Sequence, residues 1–200
     1  MKQNYLTSGE FRSKWHFDTN RIAEPGKDSF TYVCRFNLTL DDNVKELINE
    51  HQRIPFPRVD ADHIELFQKV ATYLGITTPA IKYHNQKPGQ MLPTHIDNFT
   101  ARIRKDNLID PSLVHNNPDL MRRFVIMLSD WQIGQVFNFG NSSWTQWRAG
   151  DCVTWEWQDV PHGTCNIGFD DRPSFQITGY TTERTTQVMA EASIDKIVNV

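Results

Sequence analysis

The sequence predicts a mainly β fold with supporting helices, built as an antiparallel sandwich or barrel. Three observations carry that expectation. From Ala80 onward, short β-like runs alternate with turns rich in Pro, Gly, Asn and Asp. The strongest helical period lies ahead of these runs, so helices buttress the strands rather than alternate with them. The chain has 200 residues, 38% hydrophobic and 22% charged, which suits one packed core and argues against disorder. Residues 1–200 are therefore expected to form a single domain.

The elements follow in order. Ser29–Leu38 carries Phe30, Tyr32, Val33 and Phe36 and reads as a strand. Asp41 and Asp42 then precede Val44, Leu47 and Ile48, a short helix with acids at its start. Asp60–Leu74 is the clearest helix: Ile64, Phe67, Val70, Ala71 and Leu74 share one face, and Gly75 stops it. Seven strands are expected after that: Ala80–His84, Gln90–His95, Phe124–Ser129, Gln135–Phe139, Asp151–Trp157, Gly163–Ile167 and Ser174–Thr181. The polar stretch Lys105–Leu120 interrupts the series and reads as a lid, a binding loop or a mobile segment. The tail Glu183–Val200 suits a helix docked on the barrel, and Met1–Leu40 suits strands or helices that support it.

Composition excludes several function classes. The formal net charge is -3 and no long basic run occurs, so no nucleic-acid partner is expected. No run of about 18 apolar residues exists, and Met1–Phe11 lacks an apolar signal core, so no membrane association is expected. Cys34, Cys152 and Cys165 form no CxxC pair and are odd in number, against a disulfide framework or a zinc ribbon. A cytoplasmic location follows as the default. Oligomeric state is not readable.

The chemistry centres on His95-Ile96-Asp97. Residues two apart in a strand point to the same side, so this imidazole and carboxylate can reach one ion. His162 follows 65 residues beyond Asp97, just past the turn Gln158-Asp159-Val160-Pro161. Two histidines and one carboxylate on one face of a metal leave three positions open, which suits a non-haem Fe(II) oxygenase. A fourth protein ligand would close such a site. Arg172 comes ten residues after His162, and Ser174 lies two further on along the same strand. Arg172 offers a planar fork for a carboxylate, with the Ser174 hydroxyl on the same side.

With these residues in order, the chain resembles the 2-oxoglutarate/Fe(II) dioxygenase superfamily over roughly Ala80–Thr182. The resemblance implies a double-stranded β-helix, a cupin-like jelly roll, with its core barrel at about 80–182. It also implies Fe(II) on His95, Asp97 and His162, and the distal carboxylate of 2-oxoglutarate on Arg172 and Ser174. Tyr83 and Pro88-Gly89-Gln90, ahead of the first ligands, are similar to the approach strand of prolyl 4-hydroxylases. Those enzymes usually carry Lys where Arg172 stands. Trp147-Arg148-Ala149-Gly150-Asp151, then Asp159, His162, Asn166 and Arg172, are closer to the order of aspartyl/asparaginyl β-hydroxylases. That branch often has Arg-x-His on the strand after the first ligand; Arg123-Phe124-Val125 keeps the Arg and lacks the His.

Beside the metal trio, Arg172, Ser174, Tyr83, Arg123 and Asn166 are the candidate co-substrate residues. Each has a plainer reading: a solvated strand charge for Arg172, a buried Tyr with a satisfied hydroxyl, a strand or turn amide for Asn166, an exposed strand Ser, one exposed member of the Arg122-Arg123 pair. Asp159 reads as a turn residue or a partner for His162. Trp155 and Trp157 read as core residues on one face of a strand, and Trp144 and Trp147 as packing. His16, His51, His63, His84 and His115 are assigned no role.

The expected activity is hydroxylation of an aliphatic carbon in an amino acid or peptidyl residue, Asp/Asn first and Pro second. It would couple O2 reduction to 2-oxoglutarate decarboxylation to succinate. Three other readings stay open: a dioxygenase for another small molecule, a non-catalytic metal- or sugar-binding jelly roll, and a zinc hydrolase.

Overall fold

The computed structural model describes residues 30–50 and 58–200. Met1–Phe11, His16, His51 and the Ser29 start of the first expected strand lie outside them. Eleven strands are present among the described residues: β1 (Phe30–Asn37), β2 (Arg58–Asp60), β3 (Thr77–Gln86), β4 (Gln90–His95), β5 (Met121–Met127), β6 (Gln135–Phe139), β7 (Ser142–Trp144), β8 (Asp151–Trp155), β9 (His162–Asn166), β10 (Arg172–Tyr180) and β11 (Ile197–Asn199). They form two sheets, one of seven strands in the order β11-β1-β8-β5-β10-β3-β2 and one of four in the order β4-β9-β6-β7. All pairings are antiparallel except β1 with β11. The fold is a double-stranded β-helix, mainly β with few helices, as the sequence predicts.

The larger sheet is buried on both faces, and period-2 alternation decides which side chain goes where. Phe124, Ile126, Phe175 and Ile177 face helices α1 (Asp42–Glu50) and α2 (Glu65–Tyr73), where Leu47, Phe67, Val70 and Ala71 complete a core. Phe67 stacks on Phe175 with ring centroids 3.9 Å apart. The opposite face of β10 presents Arg172, Ser174, Gln176 and Thr178, a polar row turned toward the smaller sheet. A second core lies between the sheets, formed by Val125, Met127, Phe137, Phe139, Trp144, Trp147, Val153 and Trp155.

Three sequence expectations are corrected. The helix expected over Asp60–Leu74 begins only at Glu65, because Arg58–Asp60 pairs with β3 and Ala61 N–H bonds to the Ile81 carbonyl at 2.9 Å. Long-range pairing outweighs local helix preference there. The stretch Lys105–Leu120 is not an irregular loop. Helix α3 (Thr100–Asp106), helix α4 (Pro111–Asn116) and a 3₁₀ turn (Pro118–Leu120) fill it. Asp110 caps α4 by accepting the Ser112 N–H at 2.8 Å, with Pro111 at the first helical position. Each helix buries a single apolar residue, Ile103 and Val114, so the composition of the stretch looks polar.

Those two residues pack with Phe99, Met121 and Trp157. Trp157 therefore leaves the face it was expected to share with Trp155: β8 ends at Trp155, and the Trp157 indole donates to the Pro118 carbonyl at 3.0 Å. In the tail, α5 (Glu183–Ala190) docks through Thr185 and Val188, and β11 adds a strand beside β1. Among the described residues no helix is long and apolar enough to cross a membrane.

Candidate metal centre

Strands β4 and β9 run antiparallel, and their ends set His95 directly opposite His162 in register. The pairing is irregular between Leu92 and His95, where Pro93 interrupts β4. The two imidazole centroids lie 4.4 Å apart. Asp97, two residues past the end of β4, brings its carboxylate to the same point. His162 Nε2 is 3.7 Å from Asp97 Oδ2, and His95 Nε2 is 4.0 Å from Asp97 Oδ1. One donor atom from each of the three residues lies within 4.8 Å of the other two. An ion with bonds of about 2.1 Å holds three donors on one face about 3 Å apart, so the trio must draw in by roughly 1 Å to bind one.

The tautomers suit that role. His95 Nδ1 is 2.9 Å from the Pro93 carbonyl, and His162 Nδ1 is 3.2 Å from the Val160 carbonyl. A carbonyl only accepts, so each Nδ1 carries the proton and each Nε2 is left with its lone pair. Burial pushes the His162 pKa down from 6.5 to about 4, so the ring is neutral at pH 7. Asp97 supplies the negative charge. It is 8% exposed, and among the described residues its Oδ2 has no hydrogen-bond partner. An orphaned carboxylate oxygen inside a protein is costly unless something electropositive meets it. Fe(II) fits this donor set, and among the described residues no fourth protein ligand joins it.

Arg123 was a candidate for the co-substrate. Its guanidinium instead pairs through Nη1 with Asp97 Oδ1, while Nε donates to Thr178 Oγ1 at 3.0 Å. The Phe99 ring lies 4.7 Å from its central carbon.

A cavity of about 240 Å³ opens beside the trio, walled by Leu92, Val125, Phe137, Thr164, Ser174 and Gln176. Arg172 also lines it, 4% exposed. Among the described residues, its Nε and Nη1 have no hydrogen-bond partner. The Phe137 and Trp147 rings face its guanidinium at 5.5 and 5.9 Å. Burial pushes its pKa down to about 10, which leaves it charged at pH 7. A buried cation that faces π-systems and forms no ion pair among the described residues is suited to receive an anion. Ser174 shares the cavity wall, two residues along β10.

Two candidates fall elsewhere. Tyr83 is fully buried on the helix-facing side of β3, opposite Phe175, and does not line the cavity. Alternation gives the cavity wall to its neighbour His84, to which the sequence had assigned no role. The signal was present: if β3 pairs with β10 and Phe175 faces the helices, His84 must face Ser174's side. Asn166 also stands off the cavity. Its amide donates to the Gln86 carbonyl at 2.9 Å and the Asp170 carbonyl at 2.7 Å, and its oxygen accepts the Gly168 N–H. It ties the β9–β10 turn to β3. Asp159 lies in the turn ahead of β9, its N–H bonded to the Glu156 carbonyl at 3.1 Å, and the His162 Nδ1 is held by the Val160 carbonyl.

No family model matches the sequence, and no curated protein matches it. Solved structures do. A viral collagen prolyl hydroxylase from Paramecium bursaria Chlorella virus-1 superposes with a TM-score of 0.50 at 12% identity, over 81% of this chain and 96% of that one. HygX from Streptomyces hygroscopicus, solved with iron bound, gives 0.49 at 12% identity over 80% and 87%. The non-heme alpha-ketoglutarate-dependent epimerase SnoN, from nogalamycin biosynthesis, gives 0.45 at 13% identity over 84% and 81%. The viral hydroxylase shares the fold of this chain.

Proposed function

We propose that this protein is a 2-oxoglutarate- and Fe(II)-dependent oxygenase that hydroxylates an aliphatic carbon of an amino acid or a peptidyl residue. One observation supports the reading above others. A three-donor metal trio with an open side shares one cavity with a buried cationic side chain whose Nε and Nη1 have no hydrogen-bond partner among the described residues. His95 Nε2, Asp97 Oδ2 and His162 Nε2 would hold the iron. Arg172, with Ser174, would hold the distal carboxylate of 2-oxoglutarate by a charge-assisted fork. When bound, the pair would supply the redox chemistry: 2-oxoglutarate and O2 are consumed, succinate and carbon dioxide are released, and a C–H becomes C–OH.

The chain's own part is positioning. Leu92, Val125 and Phe137 give the cavity its apolar wall, and Nδ1–H bonds to Pro93 and Val160 fix the two imidazoles. The cavity continues past Asn98, Arg123 and Gln176 into a second one of about 550 Å³, large enough for a small molecule or a side chain of a peptide. Aspartyl or asparaginyl carbon is the first choice of target and prolyl carbon the second, on the sequence resemblance. The test is Fe(II)-dependent succinate formation from 2-oxoglutarate by the purified protein. Asp97→Ala should abolish it; full activity in that variant would overturn the site.

A further inference from the structure

Asp97 has two oxygens in unlike surroundings, and the difference is the feature that the proposed activity leaves unused. Oδ1 is taken by Arg123; Oδ2 is buried and unpartnered among the described residues, on the side of His162. Arg123 is itself held in place. Its Nε donates to Thr178 Oγ1 on β10, and its planar group lies over Phe99 at the start of α3. Building on the iron reading, we infer that Arg123 is a positioning residue that keeps Asp97 a one-oxygen ligand.

A carboxylate beside a divalent ion can bind through one oxygen or chelate through both. Chelation here would require Oδ1 to swing from the guanidinium to the metal. That motion breaks a charge-assisted hydrogen bond in a partly buried setting. It would also consume one of the three coordination positions that a bidentate keto acid and O2 need together. Arg123 therefore protects the open side of the metal by holding Asp97 Oδ1. Its positive charge beside Asp97 also weakens the attraction of the site for a cation. Removing Arg123 should therefore not weaken metal binding; it should leave it equal or tighter while closing a position. A residue that merely stabilised the fold would do the opposite, and a co-substrate ligand would do neither.

The experiment uses the full-length protein and Mn(II). Water-proton relaxation of the bound ion reports how many waters it carries. Three protein donors on a six-coordinate ion leave three waters, so the relaxivity of bound Mn(II) should fall by about a third in Arg123→Ala as three waters become two. The Mn(II) dissociation constant should stay equal or fall. Arg123→Lys, which keeps the charge but loses the fork and its Thr178 anchor, should give an intermediate relaxivity. Unchanged relaxivity in Arg123→Ala, with or without weaker 2-oxoglutarate binding, overturns the inference. So does a loss of Mn(II) affinity in a variant whose melting temperature is unchanged. If Arg123→Ala does not fold, Arg123→Lys decides, and wild-type relaxivity there is the overturning result. Failure of the wild-type protein to bind Mn(II) would strike the metal reading itself; wild-type binding with three waters in both variants would strike only the role of Arg123.

Discussion

His95 and His162 are register partners across β4 and β9, and the glycine that follows His162 makes that pairing possible. A Cβ at Gly163 would lie 2.9 Å from the Leu92 carbonyl oxygen and 3.0 Å from the Thr94 nitrogen, both backbone atoms on β4. Backbone cannot rotate away as a side chain can. Gly163→Ala should therefore push β4 off β9 and draw His95 away from the trio. We expect metal affinity to fall by about tenfold or more, the range seen when ligand supports are lost. Equilibrium metal titration of the folded variant measures it; wild-type affinity would show that the strands part without moving His95.

Arg172 should destabilise the protein when no ligand is present. Its charge is buried and its Nε and Nη1 lack partners among the described residues. Replacing a buried charged group with an apolar side chain of similar volume often stabilises, by roughly 1–4 kcal/mol. Arg172→Met should thus raise the unfolding free energy of the ligand-free protein and remove 2-oxoglutarate binding. Urea unfolding and calorimetric titration, run on the same preparation, read both. A less stable Arg172→Met would mean that the guanidinium is already satisfied.

The metal-free protein should lose stability in mild acid through His162. Burial lowers its folded pKa from 6.5 to about 4. Between those values the unfolded chain binds a proton that the folded chain refuses, so stability rises with pH there. The contribution is fully present above about pH 6.5 and is lost as pH falls through about 4. The gap corresponds to roughly 3 kcal/mol. Urea midpoints of wild type and His162→Gln across pH 4 to 7, other residues unchanged, isolate it: the wild-type slope should be the steeper.

Asn166 should prove a fold residue. Removing its amide takes a donor from the Gln86 carbonyl and the acceptor from the Gly168 N–H, while the Asp170 carbonyl keeps the Gln135 amide. Asn166→Ala should cost roughly 2–3 kcal/mol, the penalty for buried groups left unsatisfied. The 2-oxoglutarate dissociation constant of the folded variant should stay within about twofold of wild type. A large rise with unchanged stability would return Asn166 to the co-substrate site.

The chain by itself determined which residues could meet at a metal and most of the strands around them. The spacing of His95 and Asp97 places both at one strand end, and the structure brings His162 to them. Gln90–His95 and Gln135–Phe139 form strands with the bounds that alternation predicts. Arg172 and Ser174 share a face because they lie two apart on β10. The tertiary structure decided what alternation leaves open. Period 2 says that Tyr83 and His84 face opposite ways, but not which of them faces the cavity. That depends on α2 covering the Tyr83 side through Phe67 and Phe175. Arg123 could reach co-substrate or Asp97 as far as sequence goes; the placement of Thr178 and Phe99 aims it at Asp97. Helices α3 and α4 were hidden because each has one buried residue, and the Trp157 that completes their core lies far along the chain. Local pattern fixes which side chains travel together, whereas long-range register and layer packing fix what they meet.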